Sequence, residues 1–449
     1  MVSFRTVERP LVAGEYLDGS MTRRARASAA LLVFALVAAA LSGCGGGPAL
    51  LTLNWYINPD NGGQAELAAK CTAAAGGRYR LETSVLPNEA TGQREQLVRR
   101  LAAEDDSIDL MSLDPPFVAE FAAAGFLRPF ADSEAAALTD GVLEGPVESA
   151  RWEGKLVSAP FWANSQLLWY RKSVAVEARL DLGTPVTWEQ IIGAAERTAT
   201  TVEVQGRRYE GYMVWINALV ASAGGSILAD PEAGKDARPA LDSDAGRRGA
   251  AVINRLARSA AADPGLSSAD EEAARAAFQR ERGGFMANWP YIYGAAQEAV
   301  ADGSFDQAVL DDIGWARYPR VTPDQASRPP LGGINLAVSG FSRHPGEAVE
   351  AVRCITSAQS QQEYMVGAKN PAARASVYDD PEVRRIFPMA DLIRESINDS
   401  APRPRTPYYT DVSSAVVRTF HPPSGVRPQQ TPVEAAKLIV DVLHDRVLL

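Results

Sequence analysis

LTLNWYINPDNGGQAELAAKCTAAAGGRYRLETSVLPNEATGQREQLVRRLAAEDDSIDLMSLD, residues 51–114, is the stretch whose reading decides the fold. Residues 51–57 mix β-branched, aromatic and leucine side chains, which predicts a strand. Residues 63–75 predict a helix, 79–86 a second strand, and 89–105 an amphipathic helix with Leu97 and Leu101 on one face. A short apolar strand follows at 108–113. This βαβαβ order predicts a parallel sheet with helices on both faces, because a parallel strand must be reached by a crossover that packs back onto the sheet. Ligands of such sheets bind outside the carboxyl ends of the strands, here 58–61, 88–91 and Asp114.

Further along, residues 115–126 predict a helix with proline in its first turn. Two strands, 155–160 and 165–171, flank Phe161-Trp162-Ala163-Asn164. Helices are expected at 187–199, 212–223, 244–261 and 269–280, strands at 283–287 and 333–339, and more helix from Pro345. Strand-rich, then helix-rich, then strand-rich sequence indicates an α/β protein of two lobes joined by several crossings. The expected division is 51–160 with 290–345 for lobe one and 161–289 with 346–449 for lobe two.

Upstream, Met21-Thr-Arg-Arg-Ala-Arg26 is a positive segment, and 29–41 is an uncharged apolar run too short to span a bilayer. It ends in Leu41-Ser42-Gly43-Cys44, small residues before a cysteine. This is the pattern of a lipoprotein export signal: 21–43 would be removed, Cys44 would carry the lipid, and 44–50 would tether the domain outside the membrane. Residues 1–20 fit no targeting class and read as an over-called start. With Cys44 lipidated, Cys71 and Cys354 remain, and two cysteines in an exported domain are expected to pair; two separate buried thiols are the alternative. The chain carries a formal charge of −10, and since residues 1–43 hold five arginines and three acids, the remainder is near −12. That argues against a nucleic-acid partner, which needs a basic face.

The chain holds three histidines, His344, His421 and His444, none at metal-ligand spacing. There is no G-x-S-x-G elbow, no S-x-x-K and no glycine-rich phosphate loop after a strand. No cofactor, metal or catalytic group is expected. The one enzymatic alternative is a glycosidase using Asp114 and Glu210 as its carboxylates. What recurs instead is aromatic residues beside polar ones at strand ends and loops: Asn58-Pro59-Asp60-Asn61, Leu113-Asp114, Phe161-Trp162-Ala163-Asn164, Asn288-Trp289-Pro290-Tyr291, Gly332-Gly333-Ile334-Asn335 and Arg403-Pro404-Arg405. Sugars need this mixture. Aromatic faces pack on the C–H faces of a pyranose, and Asp, Asn and Arg satisfy its hydroxyls. Each residue also has a plainer reading: Trp289 as core, Asp114 as a helix N-cap, Asn164 as a turn, and Arg403 or Arg405 as surface charge. Trp188, in Thr187-Trp-Glu-Gln190, reads as capping and packing.

At the lipobox, Asn164-Ser-Gln-Leu-Leu-Trp-Tyr-Arg171, Pro185-Val-Thr-Trp-Glu189 and Gly332-Gly333, the chain resembles the solute-binding lipoproteins of carbohydrate ABC importers. Asn288-Trp-Pro290, Gly332-Gly-Ile-Asn-Leu-Ala-Val338 and Arg403 resemble more specifically the trehalose-binding branch. The resemblance runs from the lipobox to about Ser413. It implies a two-lobe, periplasmic-binding-protein-like (type II) fold, each lobe a sheet flanked by helices with the ligand in the interlobe cleft. It also implies a small carbohydrate ligand, ABC permease subunits as partners and a monomer. Carried over by motif, Asp114, Asn164, Trp289, Gly333 and Arg403 are the ligand-binding candidates. Asn58, Asp60, Gln93 and Glu210 extend the set with less similar surroundings. The segment between Asp312 and Pro330 is shorter than in the trehalose binders.

Overall fold

The computed structural model describes residues 50–449. The export signal, the lipobox and Cys44 lie outside them. Strands β1 (Thr52–Ile57), β2 (Arg80–Val85) and β3 (Leu110–Leu113) alternate with helices Gly63–Ala74 and Ala90–Leu101, as the opening stretch predicts. They pair in parallel in the order β2-β1-β3. A β4–β5 hairpin (Arg151–Trp152, Lys155–Leu156) precedes β6 (Ala159–Ser165) and β7 (Leu167–Arg171). In the second half lie β8 (Thr201–Glu203), β9 (Gly283–Asn288), β10 (Ile313–Ala316) and β11 (Leu331–Val338).

Two principal sheets result, β2-β1-β3-β11-β6 and β10-β7-β9-β8. The first is mixed where a parallel sheet was expected, since β11 enters antiparallel between β3 and β6. Its two faces are read off the period-2 alternation of its strands. Leu53, Trp55 and Ile57 of β1, with Leu336 and Val338 of β11, pack on Leu67, Val352 and Ile355. Tyr56 and Met111 belong instead to the core that holds Leu97, Leu101 and Phe121. The second sheet is also covered twice: Phe285 and Ala287 join Trp188, Trp215 and Ile253, while Met286, Leu167 and Trp169 join Phe278 and Ile292.

Three expectations are corrected. Phe161 to Asn164 does not separate two strands but is the body of β6, which runs through to Ser165 because it pairs along its length with β11. Residues 290–345 do not stay together: β10 pairs antiparallel with β7 in the second sheet, while β11 belongs to the first. Conversely, the Pro345–Ile355 helix packs on β11 and on the Gly63–Ala74 helix, where Cys71 is disulfide-bonded to Cys354.

The chain therefore leaves the first sheet at Gln166 and returns between Ala316 and Leu331. Gln166 is buried and donates through Nε2 to Gln205 Oε1 at 2.9 Å; Gln205 in turn donates to the Ala287 carbonyl at 3.0 Å. Thr187 and Gln190 form a capping box, the Gln190 N–H donating to Thr187 Oγ1 and the Thr187 N–H to Gln190 Oε1. Trp188 is fully buried against Trp215 and Tyr318. Among the described residues, no helix is long and apolar enough to cross a membrane.

Candidate functional site

The carboxyl ends of β1 and β3 and the N-termini of helices Ala90–Leu101, Glu210–Ser222 and Glu271–Phe278 converge on one cleft of about 810 Å³. That is within the range of small-molecule sites. Asn58, Gln93, Asp114, Asn164, Glu210, Trp289, Gly333 and Arg403 all line it. Asp60 does not. Its Oδ1 accepts the Gly62 N–H at 3.0 Å, and its Oδ2 accepts the Gln64 N–H at 2.8 Å and the Tyr364 hydroxyl at 3.1 Å. These bonds place the Asp60 carboxylate at the start of the Gly63–Ala74 helix, outside the cleft lining.

Arg403 is the centre of the floor, and it is buried. Its Nη2 donates to Asp114 Oδ1 at 2.6 Å, and its Nη1 donates to Glu210 Oε1 at 2.7 Å and to Asp114 Oδ2 at 3.3 Å. Glu210 also accepts from the Tyr409 hydroxyl and, at 2.8 Å, from Ser413 Oγ. Asp114 follows β3, Glu210 begins a helix beside the second sheet, and Arg403 sits in a loop before the Tyr409–Phe420 helix. One guanidinium thus joins both sides of the cleft. Burial pushes the Asp114 carboxyl above the ordinary carboxylate range, and the Arg403 charge pulls the other way. Arg403 itself is held cationic by the two carboxylates despite its own burial. Arg403 Nη1 lies within hydrogen-bond reach of both acids, so the two carboxylates are tied to one cation.

The walls are aromatic. Trp289 and Trp162 are half-buried, with Tyr209 and Tyr291 alongside. Trp289 is set by Asn288, whose Oδ1 accepts the Trp289 N–H at 2.8 Å and whose Nδ2 donates to the Glu271 carbonyl at 3.0 Å. At Gly332 an added Cβ would sit 2.8 Å from the far edge of the Trp289 ring. Gly333, at φ +123°, lies where a Cβ would meet the Trp162 carbonyl at 2.3 Å. The Tyr209 hydroxyl donates to Glu271 Oε2 at 2.6 Å, and the Tyr291 hydroxyl to Glu272 Oε1 at 2.5 Å. Burial raises both phenols, and it raises the Glu271 carboxyl too.

Several polar groups at the cleft lack partners among the described residues: Asn58 Oδ1, Trp162 Nε1 and Arg403 Nε. Gln93 is less free, since its Nε2 donates to the Pro87 carbonyl at 2.9 Å. Arg405 points elsewhere, its Nη1 on the Glu148 carbonyl at 2.7 Å. Asn335 is buried and donates to Ser149 Oγ at 3.1 Å.

Sequence reasoning singled out Trp162 and Tyr291 only as members of clusters, and missed Arg207, Tyr209, Asp270, Glu271 and Glu272. Tyr209 lies one residue before Glu210, and that adjacency was the available signal. The acids at 270–272 carry none, because they read as an ordinary helix start.

A family model described as bacterial extracellular solute-binding protein matches residues 81–362. A probable ABC transporter-binding protein of Deinococcus radiodurans is 27% identical over 346 residues, which are 74% of this chain and 78% of that one. Maltose-bound MalE3 of T. maritima superposes with a TM-score of 0.73 at 24% identity, covering 88% of this chain and 100% of that one. An ABC transporter solute-binding protein of Thermotoga lettingae TMO bound with alpha-D-tagatose gives a TM-score of 0.72 at 19% identity, with 88% and 100% covered. The last two show a shared α/β periplasmic-binding-protein-like fold, and the family match spans most of the folded chain. The chain belongs to the bacterial extracellular solute-binding protein family.

Proposed function

We propose that this protein is the solute-binding component of an ABC importer and captures a small uncharged carbohydrate in the cleft. The observation that carries this reading is the pairing of aromatic walls (Trp162, Tyr209, Trp289, Tyr291) with a polar floor at the carboxyl ends of the strands. A pyranose offers apolar C–H faces to the first and hydroxyls to the second. The cleft is lined by Glu89, Asp114, Glu210, Asp270, Glu271 and Glu272 against only Arg207 and Arg403, which disfavours an anionic sugar. The sugar-bound relatives of the same fold support a carbohydrate ligand. The motif resemblance supports a disaccharide, with trehalose the first to test.

In this reading Cys44 carries the lipid, and the monomer stays tethered on the outer face of the cell membrane. The lobes close by a hinge at Gln166 and at the connection between Ala316 and Leu331. The loaded form delivers its sugar to membrane permease subunits. Catalysis has no part in it. A cleft of about 810 Å³ also has room for a larger oligosaccharide, and a polyol is the smaller alternative.

Calorimetry of the full-length protein against trehalose, maltose, longer maltodextrins and mannitol tests this. Binding of trehalose or maltose is the expected outcome. Heat from mannitol alone would move the reading to polyols, and silence from every compound would end the carbohydrate reading.

A further inference from the structure

Arg207 crosses the mouth of the same cleft. Its Nη2 donates to Glu89 Oε1 at 2.6 Å and its Nη1 to Asp270 Oδ2 at 3.1 Å. Glu89 is the N-cap residue of the Ala90–Leu101 helix, which flanks the first sheet. Arg207 lies between β8 and the Glu210–Ser222 helix, and Asp270 caps the Glu271–Phe278 helix, which packs on β8 and β9 of the second sheet. The guanidinium stacks over the Tyr209 ring, 4.4 Å from its centroid, and this fixes it to the second-sheet side. The Glu89 contact is therefore the one that reaches across.

We propose that Arg207 is a reversible electrostatic latch that holds the two walls of the cleft together, a positioning residue for solute capture that rests on the binding reading above. Two ion-paired arginines span this cleft, and their settings differ. The Arg403 side chain is 3 % exposed and ties Asp114 to Glu210 at the floor, where little solvent competes. The Arg207 side chain is 34 % exposed and that of Glu89 60 %. A pair so exposed is weak and screened by salt. That suits a contact which must break each time a solute enters or leaves, whereas a buried pair at the mouth would trap the cargo. Asp270 keeps Arg207 aimed at the opening when the Glu89 contact is broken.

The test places spin labels on exposed residues of the two sides, Glu95→Cys and Ala276→Cys, in the full-length protein. Distances are measured by double electron–electron resonance without sugar, at low and at molar salt. The latch predicts a short-distance population in the otherwise native chain that lengthens in high salt. Glu89→Gln and Arg207→Gln should show the longer distances at both salts. Stopped-flow kinetics with trehalose is the second arm: Glu89→Gln should speed dissociation about two- to fivefold, and association should rise rather than fall because entry breaks the same contact. Identical distances in all three proteins, insensitive to salt, would overturn the latch whether or not trehalose binds. Shifting distances with no trehalose binding would keep the latch and remove the sugar reading.

Discussion

Glu203 offers a test of how this core treats a charge. It stands in β8, 2 % exposed, between the buried Val202 and Val204, and its Oε1 has no partner among the described residues. Burial lifts its carboxyl from an ordinary 4.5 to about 7, and Asp263 adds to the effect while Thr201, Arg280 and Arg282 oppose it. The folded state thus prefers the neutral acid. Because the folded value lies above the unfolded one, this stabilisation is complete below 4.5 and is lost as pH rises through 7. A shift of that size corresponds to roughly 3 kcal/mol in all. About 2.5 kcal/mol of it falls between pH 5 and pH 8.

Other raised acids, Asp109 and Asp411 among them, act in the same direction, so the wild-type profile alone does not isolate Glu203. Glu203→Gln keeps the shape and removes the charge. Urea unfolding of both proteins at pH 5 and pH 8, read as free energies by linear extrapolation, gives the difference. The variant's stability relative to wild type should rise by about 2.5 kcal/mol on going to pH 8. A difference that stays flat across that range would refute the claim that Glu203 is charged at a cost inside the folded sheet.

Trp289→Ala should weaken sugar binding by about 2 kcal/mol, roughly thirtyfold, with the melting curve unchanged, as calorimetry would read. Gly332→Ala should do the same more mildly, because the new methyl displaces the ring edge 2.8 Å away. Arg403→Ala leaves Asp114 and Glu210 facing each other in a buried floor, which should cost about 3–5 kcal/mol of stability by denaturation; a loss below about 1 kcal/mol would mean that water relieves the site. Replacing both Cys71 and Cys354 by serine opens a link across a sequence separation of 283 and should destabilise the protein by about 5 kcal/mol in the chain-entropy model, checked by calorimetric melting.

Strand and helix periodicity made the first sheet legible. Residues 51–57 were expected as strand and Thr52–Ile57 is one; residues 63–75 were expected as helix and Gly63–Ala74 is one. The reading failed where the deciding contact is remote. Phe161 to Asn164 reads as a link between strands until β11, far along the chain, pairs with it. Residues 313–316 carry no strand signal, and they were placed with the first lobe because nothing in Ile313–Ala316 names β7 as a partner. Asp60 reads equally as ligand residue and helix start, because capping and sugar binding use the same carboxylate chemistry.

What the sequence alone determined is therefore local: alternation, amphipathic faces, capping signals and glycine positions. These depend on neighbours a few residues apart. The tertiary structure decided the rest. It brought Asp114 and Glu210 to Arg403 across sequence separations of 289 and 193 residues, and it set Glu89 against Arg207 across an opening. The physical reason is that a charge is satisfied by whatever lies within about 3 Å in space, and that distance is fixed only when two sheets have packed.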